Sequence, residues 1–213
     1  MTLRATSLAE QAYQALLQQI ISGKRKAGDK LAEEDICAEF GISRTPAREA
    51  LLLLSRDGLA ERLPRRGCCV RKFDHQAVAE LFECRRMIEV LALDLGFDSF
   101  PREKLKPLLV LLDKDGTAAD NKKRSLQADA ALHELIAAAC PNRHLAEMVR
   151  QLQRQTSPFR SYRSLTAADI ASITAERRAL LQAIDTGDKA TSLALLSAHI
   201  ANGGFIFNAA ARD

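Results

Sequence analysis

Apolar residues recur at helical spacing through most of this chain, with one short interruption. Ala12, Leu16, Leu17 and Ile20 or Ile21 form one stripe, which predicts an amphipathic helix over residues 7–22. Residues 31–40 read as a short second helix, with Ile36 and Phe40 four positions apart. Gly41 is a turn residue, and Ser43 is placed to cap a third helix. Pro46 fits the first turn of that helix, where its missing N–H costs little. Ala50–Leu54 continues it with apolar residues, and Asp57-Gly58 ends it. Leu59–Leu63 then forms a short strand, residues 64–67 a turn, and Cys68–Arg71 a returning strand. From residue 75 onward strand alternation disappears. Breakers at Gly96 and Pro101, Gly116, Pro141, Pro158 and Gly187 predict six helices, near 75–97, 101–115, 120–140, 142–163, 166–185 and 187–208. Short connections imply antiparallel neighbours in a bundle. The expected fold is mainly α: a winged helix-turn-helix over residues 1–74, then an all-α antiparallel helical bundle over 75–213.

The third helix carries the chemistry of the first part. Arg44, Thr45 and Arg48 cluster at its N-terminal end beside Ser43. A recognition helix enters the major groove end-on and reads bases with such residues. The hairpin that follows is a wing. Its tip carries Arg65 and Arg66, suited to phosphate or minor-groove contact, and Gly67 lets the backbone turn tightly near a duplex. Charge agrees: residues 1–72 hold 13 basic and 9 acidic side chains, the remainder 18 of each, so the whole net charge of +4 sits in the first part. Positive charge steers a protein to nucleic acid. Lys24-Arg25-Lys26, in the loop after the first helix, reads either as a solvated turn or as a phosphate clamp.

Other classes recede. Residues 1–25 lack the apolar run of a secretory signal, and no stretch approaches the ~18 apolar residues of a membrane span. Five cysteines, two of them adjacent, show neither metal-knuckle spacing nor a disulfide framework. Cys37 and Cys69 read as small buried apolar residues, while Cys68, on the wing, leaves a redox sensor open. The chain reads as cytoplasmic and reduced.

The first part resembles the GntR family. The landmarks are Ser22-Gly23, Ala27-Gly28, Leu31, the run Gly41–Leu51, Asp57-Gly58-Leu59, Arg66-Gly67 and Val70. They repeat the family's turn residues at its spacing across roughly residues 8–72. Glu34 departs from the pattern, since family members often carry there an Arg directed at DNA.

The second part is similar to the FadR C-terminal ligand-binding (FCD) domain of the same family. Leu81–Arg85 with Ile88-Glu89, Asp129–His133 with Asn142, and Glu176 with Ala183-Ile184, Gly187-Asp188 and His199 stand in its order and spacing. Many such domains bind a divalent metal, such as Zn, Mn or Ni, through one Asp and three His. The resemblance implies Asp129, His133 and His199 as ligands here, with Arg177 where the fourth is expected. Arg offers no lone pair to a metal. Three arrangements stay open: metal on the remaining ligands, Arg177 in the cation's place on Asp129 or on an anionic ligand, or Arg177 pointing outward. Arg85 matches the family's pocket arginine and would join Arg177 in holding a carboxylate. Its alternative is an ion pair with Glu89 on the helix surface. Tyr162 and Asn202 are further polar candidates. His75 and His144, near helix starts, read as surface or capping residues.

These readings imply a homodimeric transcriptional repressor that binds a double-stranded operator and responds to a small organic or sugar acid. The effector residues would be Arg85, Asp129, His133, Arg177 and His199. One rival is a DNA-binding dimer whose helical domain only oligomerises. Another is a metal-dependent hydrolase fused to a DNA-binding domain, against which no separate base or nucleophile stands at motif spacing.

Overall fold

A computed structural model describes residues 7–63, 67–114, 116–161 and 166–210. Its described elements run α1 (Leu8–Ile21), α2 (Glu33–Phe40), α3 (Arg44–Arg56), β1 (Ala60–Leu63), β2 (Gly67–Val70), α4 (His75–Gly96), a 3₁₀ turn (Arg102–Lys104), α5 (Leu105–Asp113), α6 (Ala118–Ala139), α7 (Arg143–Ser161), α8 (Ala167–Asp185) and α9 (Lys189–Ala210). The chain divides into two compact units. One spans Met1–Asp74 with Arg154–Tyr162, the other His75–Gln153 with Arg163–Asp213.

In the first unit the stripe on α1 packs on α3. Leu16, Ile20, Leu31, Ile36, Ala47, Leu51, Leu54, Leu59 and Val70 share one core. Helix α2 begins at Glu33, two residues later than the apolar pattern suggests, because Leu31 is held in extended backbone by its N–H bond to the Cys68 carbonyl (2.8 Å). Gly41 closes α2 with φ of 65°, a left-handed conformation that costs glycine least. β1 and β2 pair antiparallel from Ala60↔Val70 to Leu63↔Gly67, and Lys30 bridges Cys69 on the other side of β2. Asp57, at the end of α3, is buried. It accepts the Tyr13 hydroxyl and Arg154 Nη2 (3.1 Å) on its carboxylate, and Gln155 Nε2 on its carbonyl (2.8 Å).

The second unit is all-helical among its described residues. Val78, Phe82 and Leu93 of α4 are buried, as are Leu132 and Ile136 of α6, Leu180 and Ile184 of α8, and Leu196 and Ile200 of α9. The helix pairs α4·α9, α8·α9, α4·α6 and α6·α8 pack together. Helix starts follow local chemistry: Thr117 with Asp120 and Thr166 with Asp169 form capping boxes, and Asn142 Oδ1 accepts the N–H groups of His144 and Leu145. Gly96 ends α4 where a Cβ would stand 2.6 Å from the Ala139 carbonyl oxygen, so the close approach requires glycine. Although Pro158 is a breaker residue, α7 continues through it to Ser161, in line with the helix predicted over 142–163.

Candidate nucleic-acid interface and effector site

Ser43 is the N-cap of α3 by backbone conformation, but its side chain makes no capping bond. The expected cap is therefore absent, and the hydroxyl is left at an exposed helix start beside Arg44, Thr45 and Arg48, all exposed. Ala47, Ala50, Leu51 and Leu54 bury the opposite face of α3, which fixes the polar face outward. The two arginines are not bare. Arg48 forms a two-point fork on Glu33, with Nε at 2.9 Å and Nη2 at 3.0 Å. Arg44 Nη2 lies 3.4 Å from Glu34. The bond from Arg48 holds the Glu33 carboxyl below the usual carboxylate range.

Elsewhere in this unit, Lys24 and Arg25 both bind Glu39 of α2, Arg25 at 2.6 Å. They brace α2 against the end of α1, which is neither a free turn nor an open clamp. Gly67 takes φ of 78° at the start of β2. Arg65 and Arg66 lie outside the described residues. Cys68 and Cys69 are buried and Cys37 half-buried, and all three are free thiols. Burial pushes the Cys68 thiol up, which disfavours the thiolate a redox sensor needs.

The second unit gathers a buried polar centre chiefly from four helices, to which Gln153 of α7 adds one donor. α4 supplies Arg85 and Glu89, α6 Ser125, Asp129 and His133, α8 Arg177, and α9 His199. Glu89 is wholly buried and accepts Arg85 Nε (2.6 Å), Gln153 Nε2 (2.7 Å) and His133 Nδ1. A carboxylate only accepts and a guanidinium only donates. His133 therefore carries its proton on Nδ1, toward Glu89, and offers the Nε2 lone pair to Arg85 Nη2 at 2.8 Å. Asp129 Oδ1 accepts Arg177 Nε (2.9 Å) and His199 Nε2 (2.8 Å), which places the His199 proton on Nε2. Arg177 Nη1 also donates to Ser125.

Several expectations change here. Arg85 does pair with Glu89, but the pair is buried in the centre and not on the helix surface. Arg177 points inward, so the outward arrangement is overturned. Arg85 and Arg177 are engaged by Glu89 and Asp129 and do not form an empty carboxylate fork. Asn202 is exposed and donates to Glu176 (3.4 Å), away from the centre. Tyr162 lies outside the described residues. His75 and His144 are exposed, at the first turns of α4 and α7. Gln153 and Ser125, which complete the centre, carry no motif signal; only their helical phase against buried neighbours marks them.

Asp129, His133 and His199 bring potential ligand atoms within 4.8 Å of one another. Their donor chemistry suits a divalent ion, but their present bonds do not. The His133 lone pair meets Arg85, His199 is protonated at the nitrogen that faces Asp129, and Arg177 adds a fixed positive charge on that same carboxylate oxygen. Arg85 and Arg177 balance Glu89 and Asp129 with both imidazoles neutral. The residues present do not fit a resident divalent metal. Burial lowers the His199 pKa against the raising influence of Asp129, in keeping with a neutral ring.

Comparison with known proteins identifies the family of both parts of the chain. Residues 8–70 match the family described as bacterial regulatory proteins, gntR family, and residues 80–202 match the FCD domain. The HTH-type transcriptional regulator YdhC of Bacillus subtilis is 30% identical over 67% of this chain and 65% of its own length. A regulator from Streptomyces ambofaciens is matched over only 48% of its length. The gluconate operon transcriptional repressor of Bacillus subtilis is 28% identical over 88% of this chain and 79% of its own. In structure, E. coli McbR/YncC superposes with a TM-score of 0.82 at 22% identity, covering 97% of this chain and 100% of the other. These relatives are regulators, and nothing among them supports the hydrolase reading. No helix among the described residues is long and apolar enough to cross a membrane. Its two matched domains, in this order, make the chain a member of the gntR family of bacterial regulatory proteins, carrying an FCD domain.

Proposed function

We propose that the protein is a homodimeric repressor that binds a pseudo-palindromic operator and leaves it when a small organic or sugar acid occupies the helical unit. The observation that carries the DNA half is the exposed group Ser43, Arg44, Thr45 and Arg48 on one end of a helix whose other face is buried. Arg65, Arg66 and Gly67 would add backbone contacts from the wing. Arg44→Ala and Arg48→Ala should each weaken operator binding about 5- to 150-fold, the loss of one base contact. Operator titrations at matched salt test this, and unchanged affinity in both variants would refute it.

One winged helix reads few base pairs, so two copies spaced by about one helical turn of DNA give adequate specificity. A dimer is expected by light scattering at micromolar concentration, and a monomer with and without DNA would contradict it. The effector would act at Arg85, Asp129, His133, Arg177 and His199, by binding two states of the protein unequally. The relative named for a gluconate operon supports a sugar-acid class. A thermal-shift screen of organic and sugar acids tests it, and no shift with any of them favours a helical unit that only oligomerises. We propose further that this site works without Zn, Mn or Ni, Arg177 supplying the positive charge beside Asp129.

A further inference from the structure

Glu33 and Glu34 open α2 at the edge of the molecule that the DNA reading turns toward phosphate. Two carboxylates there oppose binding to a polyanion, so their placement calls for a compensating role. The Glu33–Arg48 fork supplies one. A guanidinium has five N–H donors, and bidentate reading of guanine O6 and N7 uses two of them. Glu33 occupies only Nε and one N–H of Nη2, which leaves three, on Nη1 and Nη2. The carboxylate thus takes one edge of the guanidinium and leaves the end-on edge for a base.

The fork is also anchored. Buried Ile36 on α2 and buried Ala47 and Leu51 on α3 fix the two helices, and the bonds of Arg25 and Lys24 to Glu39 hold the far end of α2. Glu33 is partly covered, with 28% of its side chain exposed against 59% for Arg48, so the carboxylate is the more fixed partner. An unheld arginine in that place could swing to any nearby phosphate, which carries no sequence information. Resting on the DNA-binding reading above, we infer that Glu33 is a specificity-determining residue: it holds Arg48 side-on so that its free edge reads guanine, and it repels the backbone from that edge.

Selection from a randomised duplex library, using the full chain, tests this without a known operator. The wild type is expected to enrich guanine at one position per half-site, and Arg48→Ala to erase that preference. Glu33→Gln should cut the preference at the same position about tenfold, within the range of one bidentate contact, and leave other positions unchanged. Binding of the same variant to a random-sequence duplex should tighten a few-fold, since a repelled phosphate contact is regained. Glu33→Ala should reproduce both effects, which removes dependence on how glutamine packs. If Arg48→Ala relaxes the position but neither Glu33 variant does, the inference falls while the DNA reading stands. If the wild type selects no sequence, both fall.

Discussion

Replacing Arg85 by alanine is expected to destabilise the helical unit by about 3–5 kcal/mol, the usual cost of leaving one charge of a buried pair without its partner. Arg85 and Glu89 are 1% and 0% exposed, and Glu89 has no solvent to turn to. Burial alone would raise the Glu89 carboxyl, but the charge of Arg85 and the hydrogen bond from His133 outweigh it and bring it down to about 2. A carboxylate depressed in the folded state contributes stability that is complete above its ordinary value, about 4.5, and fades as pH falls toward about 2. His199 acts in the same direction in a higher window. Its pKa is lowered by burial, so its contribution is complete above about 6.5 and fades as pH falls below that. Urea unfolding from pH 7 to pH 3 should therefore show stability falling with acid in the wild type. Arg85→Ala should be far weaker at pH 7 and lose less on acidification, since Glu89 then titrates closer to its ordinary range. A loss under about 1 kcal/mol with an unaltered acid profile would show that Gln153 and His133 satisfy Glu89 unaided.

Helix existence, order and most boundaries were legible because each helix carries its own punctuation. Thr117/Asp120 and Thr166/Asp169 are capping boxes in the sequence as in space, and Gly41 and Gly187 take the positive φ that their positions demand. The start of α2 was not legible, because a tertiary bond from Leu31 to Cys68 keeps two apolar-phased residues extended. Pro158 is a statistical breaker, yet the helix predicted over 142–163 runs through it, as α7 does. Among site residues, spacing brought Asp129 and His133 to one face of α6, and the resemblance brought His199 and Arg177 to the same place. Sequence could not reveal which acid each arginine takes. Arg85 at four residues from Glu89 looks like any surface pair, and only the packing of α6 and α9 on α4 turns it into the keystone of the centre. Nor could it show that Glu33 and Glu34 meet Arg48 and Arg44, because α2 and α3 join across a turn whose angle the pattern does not encode.

Arg177→His is expected to convert the centre into a metal site. In the wild type the guanidinium sits 2.9 Å from Asp129 Oδ1, where a ligand bond would otherwise form, and carries a fixed positive charge that repels a cation most strongly where water is excluded. The substitution removes that charge and adds a neutral donor to the three already within reach, Asp129, His133 and His199. Four donors of this kind suit a divalent ion, provided His199 moves its proton to Nδ1 and His133 yields its lone pair from Arg85. Without metal the variant should be less stable than the wild type, since buried Asp129 loses the charged donor that balances it. With zinc or manganese at about a hundred times its dissociation constant, binding to the folded state should return roughly 2.7 kcal/mol. In a chain of this size that corresponds to a rise of roughly 5–10 °C in Tm. The wild type should move little under the same titration and hold no stoichiometric metal by elemental analysis. A wild type that keeps one divalent ion per chain through chelation, with Arg177→His adding nothing, would place the metal beside Arg177 despite its charge and overturn the metal-free reading.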